Sequence, residues 1–203
     1  MRIKQLTGLF LCLFLLSSCS TSRLLSSWES EAHKSYVFDQ VLVISIAKNE
    51  TKRRIYEDTF TDSLVDSGIN AFASYTASQQ PIEPDEKQLR EVIRKTNADS
   101  VLITHLVSAN EKNSYQSHST IIGTNSYNRG LYGYYPMIYN SVYQSGSYLT
   151  KTKVVLETSL YDVKTEERIW TAQTESIDPV MTRKYYQQLI DLFLDDLKNK
   201  KLL

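Results

Sequence analysis

The chain has 203 residues, only two of them cysteine, and sets 23 Lys and Arg against 23 Asp and Glu. So even a balance leaves no basic excess to displace counterions from phosphates, which excludes an electrostatic grip on nucleic acid. The length suits one domain of ordinary size.

At the amino end, Arg2 and Lys4 precede an uncharged run from Leu6 to Leu16, which gives way to Ser17 and Ser18. This is the profile of a secretory signal peptide, and the run is shorter than the roughly 20 residues that a membrane-crossing helix needs. No later segment comes near that length, so a transmembrane anchor is not expected.

Leu16, Ser17, Ser18 and Cys19 resemble the lipobox of bacterial lipoprotein precursors. The resemblance implies a diacylglyceryl thioether on Cys19, cleavage before it, and acylation of the new amino terminus by a chain such as palmitate. One acyl chain holds a protein only reversibly, whereas two or more hold it stably at a bilayer. Cys12 falls within the discarded segment 1–18, so the mature chain has no thiol pair and no disulfide, despite an oxidising compartment. Ser20 stands where an aspartate would favour retention in the inner membrane, and the same resemblance therefore implies lipid anchoring in the outer membrane, facing the periplasm.

Without residues 1–18 the chain keeps 185 residues, with 21 basic and 23 acidic side chains once Arg2 and Lys4 are gone. Residues 19–36 are serine-rich without a sustained period and read as a flexible tether that would float the domain roughly 20 to 25 Å from its anchor. Trp28 is the exception there, expected to pack onto the domain or to sit among lipid headgroups.

The domain proper, 37–203, opens with VLVISIA, Val41 to Ala47, a β-branched run of the kind buried on both faces of a sheet. Asn49 is placed to cap a helix in which Tyr56, Phe60 and Leu64 share one face, and Gly68 supplies its stop. A second strand is expected over Ile69 to Tyr75. Pro84 and Asp85 open a second helix with Leu89, Val92 and Ile93 as its stripe and Asn97 at its end. Ser100 to Val107 reads as a third strand. The order β-α-β-α-β with short connections predicts right-handed crossovers and a parallel core. Further on, KVVLETSLYDV and RIWTAQTE flank the turn Lys164 to Glu167 as an antiparallel hairpin. A final helix is expected from Asp178 and Pro179, with Tyr186, Leu189, Ile190, Phe193 and Leu197 on its face. The predicted fold is thus a single α/β domain with a mixed sheet, a long insert, a hairpin and a C-terminal helix.

The insert, 113–148, holds eight of the fourteen tyrosines together with Gly123, Gly130, Gly133 and Gly146. A segment of this length without its own pattern is usually a functional or a mobile loop. Tyrosine presents a large amphipathic surface at low entropic cost and stacks on sugar rings, so Tyr127, Tyr132, Tyr134, Tyr135, Tyr139 and Tyr143 are the candidate partner-binding residues. The competing reading is a mobile loop or extended hairpin tip without a specific ligand.

The blocks VLVISIAKNETKRRIYEDTF, ADSVLITHLV and VVLETSLYDVKTEERIWTAQTES, with the tyrosine-rich insert and the closing helix, resemble a family of small bacterial lipoproteins built on a periplasmic α/β domain of unknown function. The arrangement is similar, more loosely, to the periplasmic domain of the Tol translocation protein, the curli-secretion lipoprotein and the lipoprotein activators of peptidoglycan synthases. That resemblance implies a module that binds other envelope proteins and carries over no catalytic residue.

Direct chemical signals are sparse. His33, His105 and His118 are far apart and lack partners at metal-ligand spacing, and neither a phosphate-cradling loop nor a nucleophile elbow occurs. His105 reads as a hydrogen-bonded strand residue. Glu57, Asp58 and Asp62, beside Lys52, Arg53 and Arg54, read as a solvated helix face. The expectation is a non-catalytic binding or assembly module of the envelope, without metal or cofactor. Its expected partners are the membrane through Cys19, and an envelope protein or peptidoglycan. The alternatives are a peptidoglycan or polysaccharide binder and an envelope enzyme. No residue pattern points to an oligomeric state.

Overall fold

The computed structural model describes residues 22–33, 37–78, 81–111, 130–144 and 152–203. Six strands form one mixed sheet: β1 (Ser22–Glu29), β2 (Gln40–Ile46), β3 (Asn70–Ala73), β4 (Ser100–Glu111), β5 (Thr152–Asp162) and β6 (Arg168–Ile177). The helices are α1 (Glu50–Asp66), the single turn α2 (Ser74–Ala77), α3 (Glu86–Thr96), α4 (Leu131–Gln144) and α5 (Arg183–Asn199). The sheet order is β1-β6-β5-β4-β2-β3. β3, β2 and β4 run parallel, as the β-α-β-α-β order predicts, and β4, β5, β6 and β1 continue antiparallel.

The apolar runs follow from cover on both faces. Side chains alternate across a strand, so Val41 and Val43 of β2 enter one core while Leu42, Ile44 and Ile46 enter the other. On the first face α1 and α5 pack together, with Tyr56 edge-on to Tyr186 at 5.3 Å and Phe60 stacked on Phe193 at 6.2 Å. On the opposite face α3 brings Leu89, Val92 and Ile93, and α4 brings Leu131, Tyr134, Tyr135 and Ile138. The expected stops hold. The Asn49 side chain accepts the Lys52 amide at 2.9 Å. Gly68 lies at φ 87° and Asn97 at φ 49°, both left-handed.

Four expectations are corrected. Within the stretch expected as a tether, Ser22–Glu29 is the edge strand β1, bonded along β6. An edge strand with one face open to solvent needs no apolar alternation, so its serines concealed it. Within the insert, Leu131–Gln144 is a helix. It contains no charge to mark a solvent face and includes Pro136, so no 3.6-residue pattern is visible; its amino end leans on the β5–β6 turn, where the Leu131 amide donates to the Glu166 carbonyl at 3.0 Å. The second parallel strand ends at Ala73, and its last two expected residues turn into α2. The final helix starts at Arg183, capped by Thr182, because Asp178 adopts φ 45° and breaks the chain before it.

Candidate functional site

In an open α/β sheet, ligands settle in the crevice beyond the carboxyl ends of the strands, where successive connections leave on opposite faces. That point is the end of β2: α1 returns the chain to β3 on one face, and α3 carries it back over β2 to β4 on the other. A small, shallow, solvent-open crevice lies there. Its walls come from Ile44 to Ile46 of β2, Arg53 of α1, Ser74 of α2, Pro81 and Ile82 of the connection to α3, and Tyr135, Tyr139 and Tyr143 of α4.

Arg53 and Glu57 are the unexpected members. Both are buried, Arg53 at 3% exposure, and this corrects the expectation of a solvated face for that part of α1. They lie on the helix stripe itself, Arg53 three residues before Tyr56 and Glu57 three before Phe60, so the spacing that marks the core includes them. Glu57 Oε1 accepts the Ser45 amide at 2.9 Å, and the Ser74 hydroxyl lies 2.9 Å from both carboxylate oxygens. Burial pushes the Glu57 carboxyl above its ordinary range, against the pull of the Ser45 amide and the Arg53 guanidinium. Arg53 Nη1 donates to Glu57 Oε1 at 3.4 Å and to Ser74 Oγ at 3.3 Å, while Nε and Nη2 have no hydrogen-bond partner among the described residues. Glu50, half-exposed, stands 4.0 Å from Nη2. The unbonded Nε–Nη2 edge of a guanidinium is the edge that suits a carboxylate or phosphate in a two-pronged grip.

The aromatic wall is built by α4. Tyr135 is buried, and its hydroxyl donates to the Ile82 carbonyl. Tyr139 and Tyr143 stack at 4.3 Å with rings 9° apart, and the Tyr143 hydroxyl donates to the Ala47 carbonyl at 3.3 Å. Tyr143 is 37% exposed and forms the outer rim.

A second buried polar cluster lies deeper in the sheet. The Tyr134 hydroxyl donates to Glu157 Oε1 at 2.8 Å and stands 3.4 Å from His105 Nδ1, and Gln173 donates to Glu157 Oε2 at 2.8 Å. His105 is thus the strand residue its setting predicts. Burial holds its imidazole down to about 4 against the pull of Glu157. Among the described residues no group of three His, Cys, Asp or Glu side chains could hold a metal ion.

Of the six candidate tyrosines, the fold brings Tyr135, Tyr139 and Tyr143 to the crevice. Tyr134 faces the sheet, and Tyr132 packs under the Arg90 guanidinium, 3.5 Å from its ring centre. Tyr127 and Cys19 lie outside the described residues. Tyr132, Tyr134 and Tyr135 are buried because α4 lays that side on the second core, so they serve packing and leave the rim to Tyr139 and Tyr143. The charged neighbours of Arg53 and Glu57 mask, in the sequence, their place on the buried stripe.

No protein-family model and no curated protein matches the sequence. Among solved structures, the chain is similar to the PelC dodecamer from Paraburkholderia phytofirmans in two structures. The identities are 13% and 12% and the TM-scores 0.44 and 0.41, each over 85% of this chain and 94% of the other. It is also similar to lipoprotein GNA1162 from Neisseria meningitidis, with 11% identity and a TM-score of 0.39 over 79% of this chain and 99% of that one. Likeness this slight carries nothing about activity.

Proposed function

We propose that the protein is an outer-membrane-anchored periplasmic lipoprotein that acts as a non-catalytic binding or assembly module of the bacterial envelope. The observation that carries this reading is Cys19, placed at the end of an uncharged apolar run and three residues ahead of the strand that begins the domain. The attachment point therefore joins directly to the folded sheet. Among the described residues no helix is long and apolar enough to cross a membrane, so lipid on Cys19 would supply the anchor. The binding surface is the β2 crevice, where a half-satisfied guanidinium sits behind an aromatic rim.

Two measurements test it. Wild-type protein should incorporate labelled palmitate and sediment with outer-membrane fractions, and Cys19→Ala should do neither. A photo-crosslinking side chain at Tyr143 should capture a discrete envelope component in intact cells, whereas one at exposed Lys95, on the outer side of α3, should not. Label retained by Cys19→Ala would overturn the anchor, and equal capture at both positions would overturn the site.

The stacked pair Tyr139 and Tyr143 favours a second reading, a peptidoglycan or polysaccharide binder, because paired aromatic faces suit sugar rings. Retention on purified peptidoglycan that disappears in Tyr143→Ala would select it over a protein partner.

A further inference from the structure

Strand polarity decides which end of the sheet the anchor adjoins. Ser22 of β1 pairs with Ser176 of β6, Ser176 with Val154 of β5, and Val154 with Ala109 of β4. The anchor therefore adjoins the row formed by the starts of β1 and β5 and the finishes of β4 and β6. Because β4 runs parallel to β2 and β3, the carboxyl ends of all three point the same way. Ile46 near the end of β2 pairs with His105, four residues short of Ala109, so β4 and its antiparallel neighbours overhang β2 by about 13 Å at 3.3 Å per residue.

From Cys19 to Ser22 the chain advances three residues, which span at most about 10 Å even when fully extended. This corrects the expectation of a tether holding the domain at two or more times that distance. The same end presents apolar side chains to solvent: Ile177 is 51% exposed and Val180 75%. They flank Asp178, whose left-handed φ of 45° is unfavourable for a non-glycine residue and directs the chain sharply out of β6. Beside them, Arg23 and Lys153 both pair with the buried Glu175, and with Asp178 these charges balance.

We infer that this end of the sheet is itself a membrane-docking surface, with Ile177 and Val180 seated at headgroup level. The inference rests on the lipid anchor at Cys19 proposed above. The occupant is the bilayer, because Cys19 is at most about 10 Å of chain from Ser22, and Ser22 pairs with Ser176, the neighbour of Ile177.

The test uses the acylated mature protein in vesicles of phosphatidylethanolamine and phosphatidylglycerol. Its Cys19 sulfur is blocked as a thioether, so a cysteine introduced at Ile177, Val180 or Lys164 is the sole thiol available to an environment-sensitive fluorophore. Lys164 lies in the β5–β6 turn at the far end of the sheet. All three positions are exposed, and thermal midpoints matching the parent confirm folding. Ile177→Cys and Val180→Cys should show blue-shifted emission and quenching by acyl-chain nitroxide lipids several-fold above that at Lys164→Cys. Equal quenching at both ends, or stronger quenching at Lys164→Cys, in protein shown to carry palmitate would overturn the docking surface and leave the lipoprotein reading intact. Failure of the parent to carry palmitate would overturn both.

Discussion

The Trp170 indole donates its Nε1–H to the Asp196 carboxylate at 2.7 Å, which ties the β-hairpin to the last helix. The other oxygen of the same carboxylate accepts the Ser27 hydroxyl at 3.0 Å, so one side chain secures β6, α5 and the edge strand β1 together. Asp196→Ala leaves the indole N–H of a fully buried tryptophan without its partner, at about 1 to 3 kcal/mol. The urea midpoint should fall by a corresponding amount, and Ser27→Ala, which removes only the second bond, should lower it less.

Phe193 is the aromatic centre of the α1–α5 face, stacked on Phe60 and edge-on to Trp170 at 5.9 Å. Phe193→Ala should lower stability by about 3 to 5 kcal/mol through lost transfer energy and an unfilled cavity. An unchanged thermal midpoint would contradict this placement.

The parallel core, the hairpin and both parallel-core helices were legible because each obeys a single rule: continuous apolar runs where both faces are covered, and helical stripes closed by Asn49, Gly68 and Asn97. β1 was not legible, because an edge strand with serines at 22, 26 and 27 and a bulge between Leu24 and Ser26 lacks period. α4 was not legible either, since its tyrosines carry polar hydroxyls that composition reads as binding surface, whereas Tyr134 and Tyr135 satisfy theirs inside the protein. The crevice was half legible. Its tyrosines stand out by composition, but Arg53 and Glu57 sit among Lys52, Arg54, Asp58 and Asp62, whose charges read as a solvated face and mask the place of these two on the apolar stripe.

That distinction between buried and rim tyrosines is measurable. Tyr135→Ala should destabilise by about 3 to 5 kcal/mol, as truncation of a core aromatic does. Tyr143→Ala, at the partly exposed rim, should shift the denaturation midpoint by far less while weakening ligand capture. Equal destabilisation by both would show that α4 seats its tyrosines differently.

The Arg53–Glu57 pair should show strong non-additivity. Removing one partner of a buried ion pair costs about 3 to 5 kcal/mol because the other charge is stranded, whereas apolar replacement of both is often near neutral. Glu57→Leu alone should therefore destabilise more than Arg53→Met with Glu57→Leu. A double variant as damaged as the sum of the two singles would argue against the coupling.

Acid sensitivity should trace to His105. Its imidazole titrates at about 4 in the fold against an ordinary 6.5, so the unfolded chain binds the proton first as pH falls. The stability it contributes is fully present above 6.5 and is lost as pH drops through 4, on the order of 3 kcal/mol in all. Glu57 acts in the opposite sense: its raised carboxyl contributes stability below its unfolded value and loses it as pH rises through the folded one. His105→Gln should thus flatten the decline between pH 6.5 and 4 in a thermal-midpoint series, and an unaltered slope would exonerate the histidine.

Ser22 and Ser176 share a hydroxyl contact across 154 residues of sequence. In a chain that leaves the ribosome amino end first, β1 has no sheet to join until β6 has followed it, and so distant a loop closes late. If Cys19 is the lipidation site proposed above, the strand beside it is thus still without its partner when the first hundred and more residues have been made, and that interval would be open to enzymes that cleave and acylate it. Topology would then order acquisition of the anchor before completion of the sheet, and a chain truncated before β6 would keep Cys19 while never closing its fold.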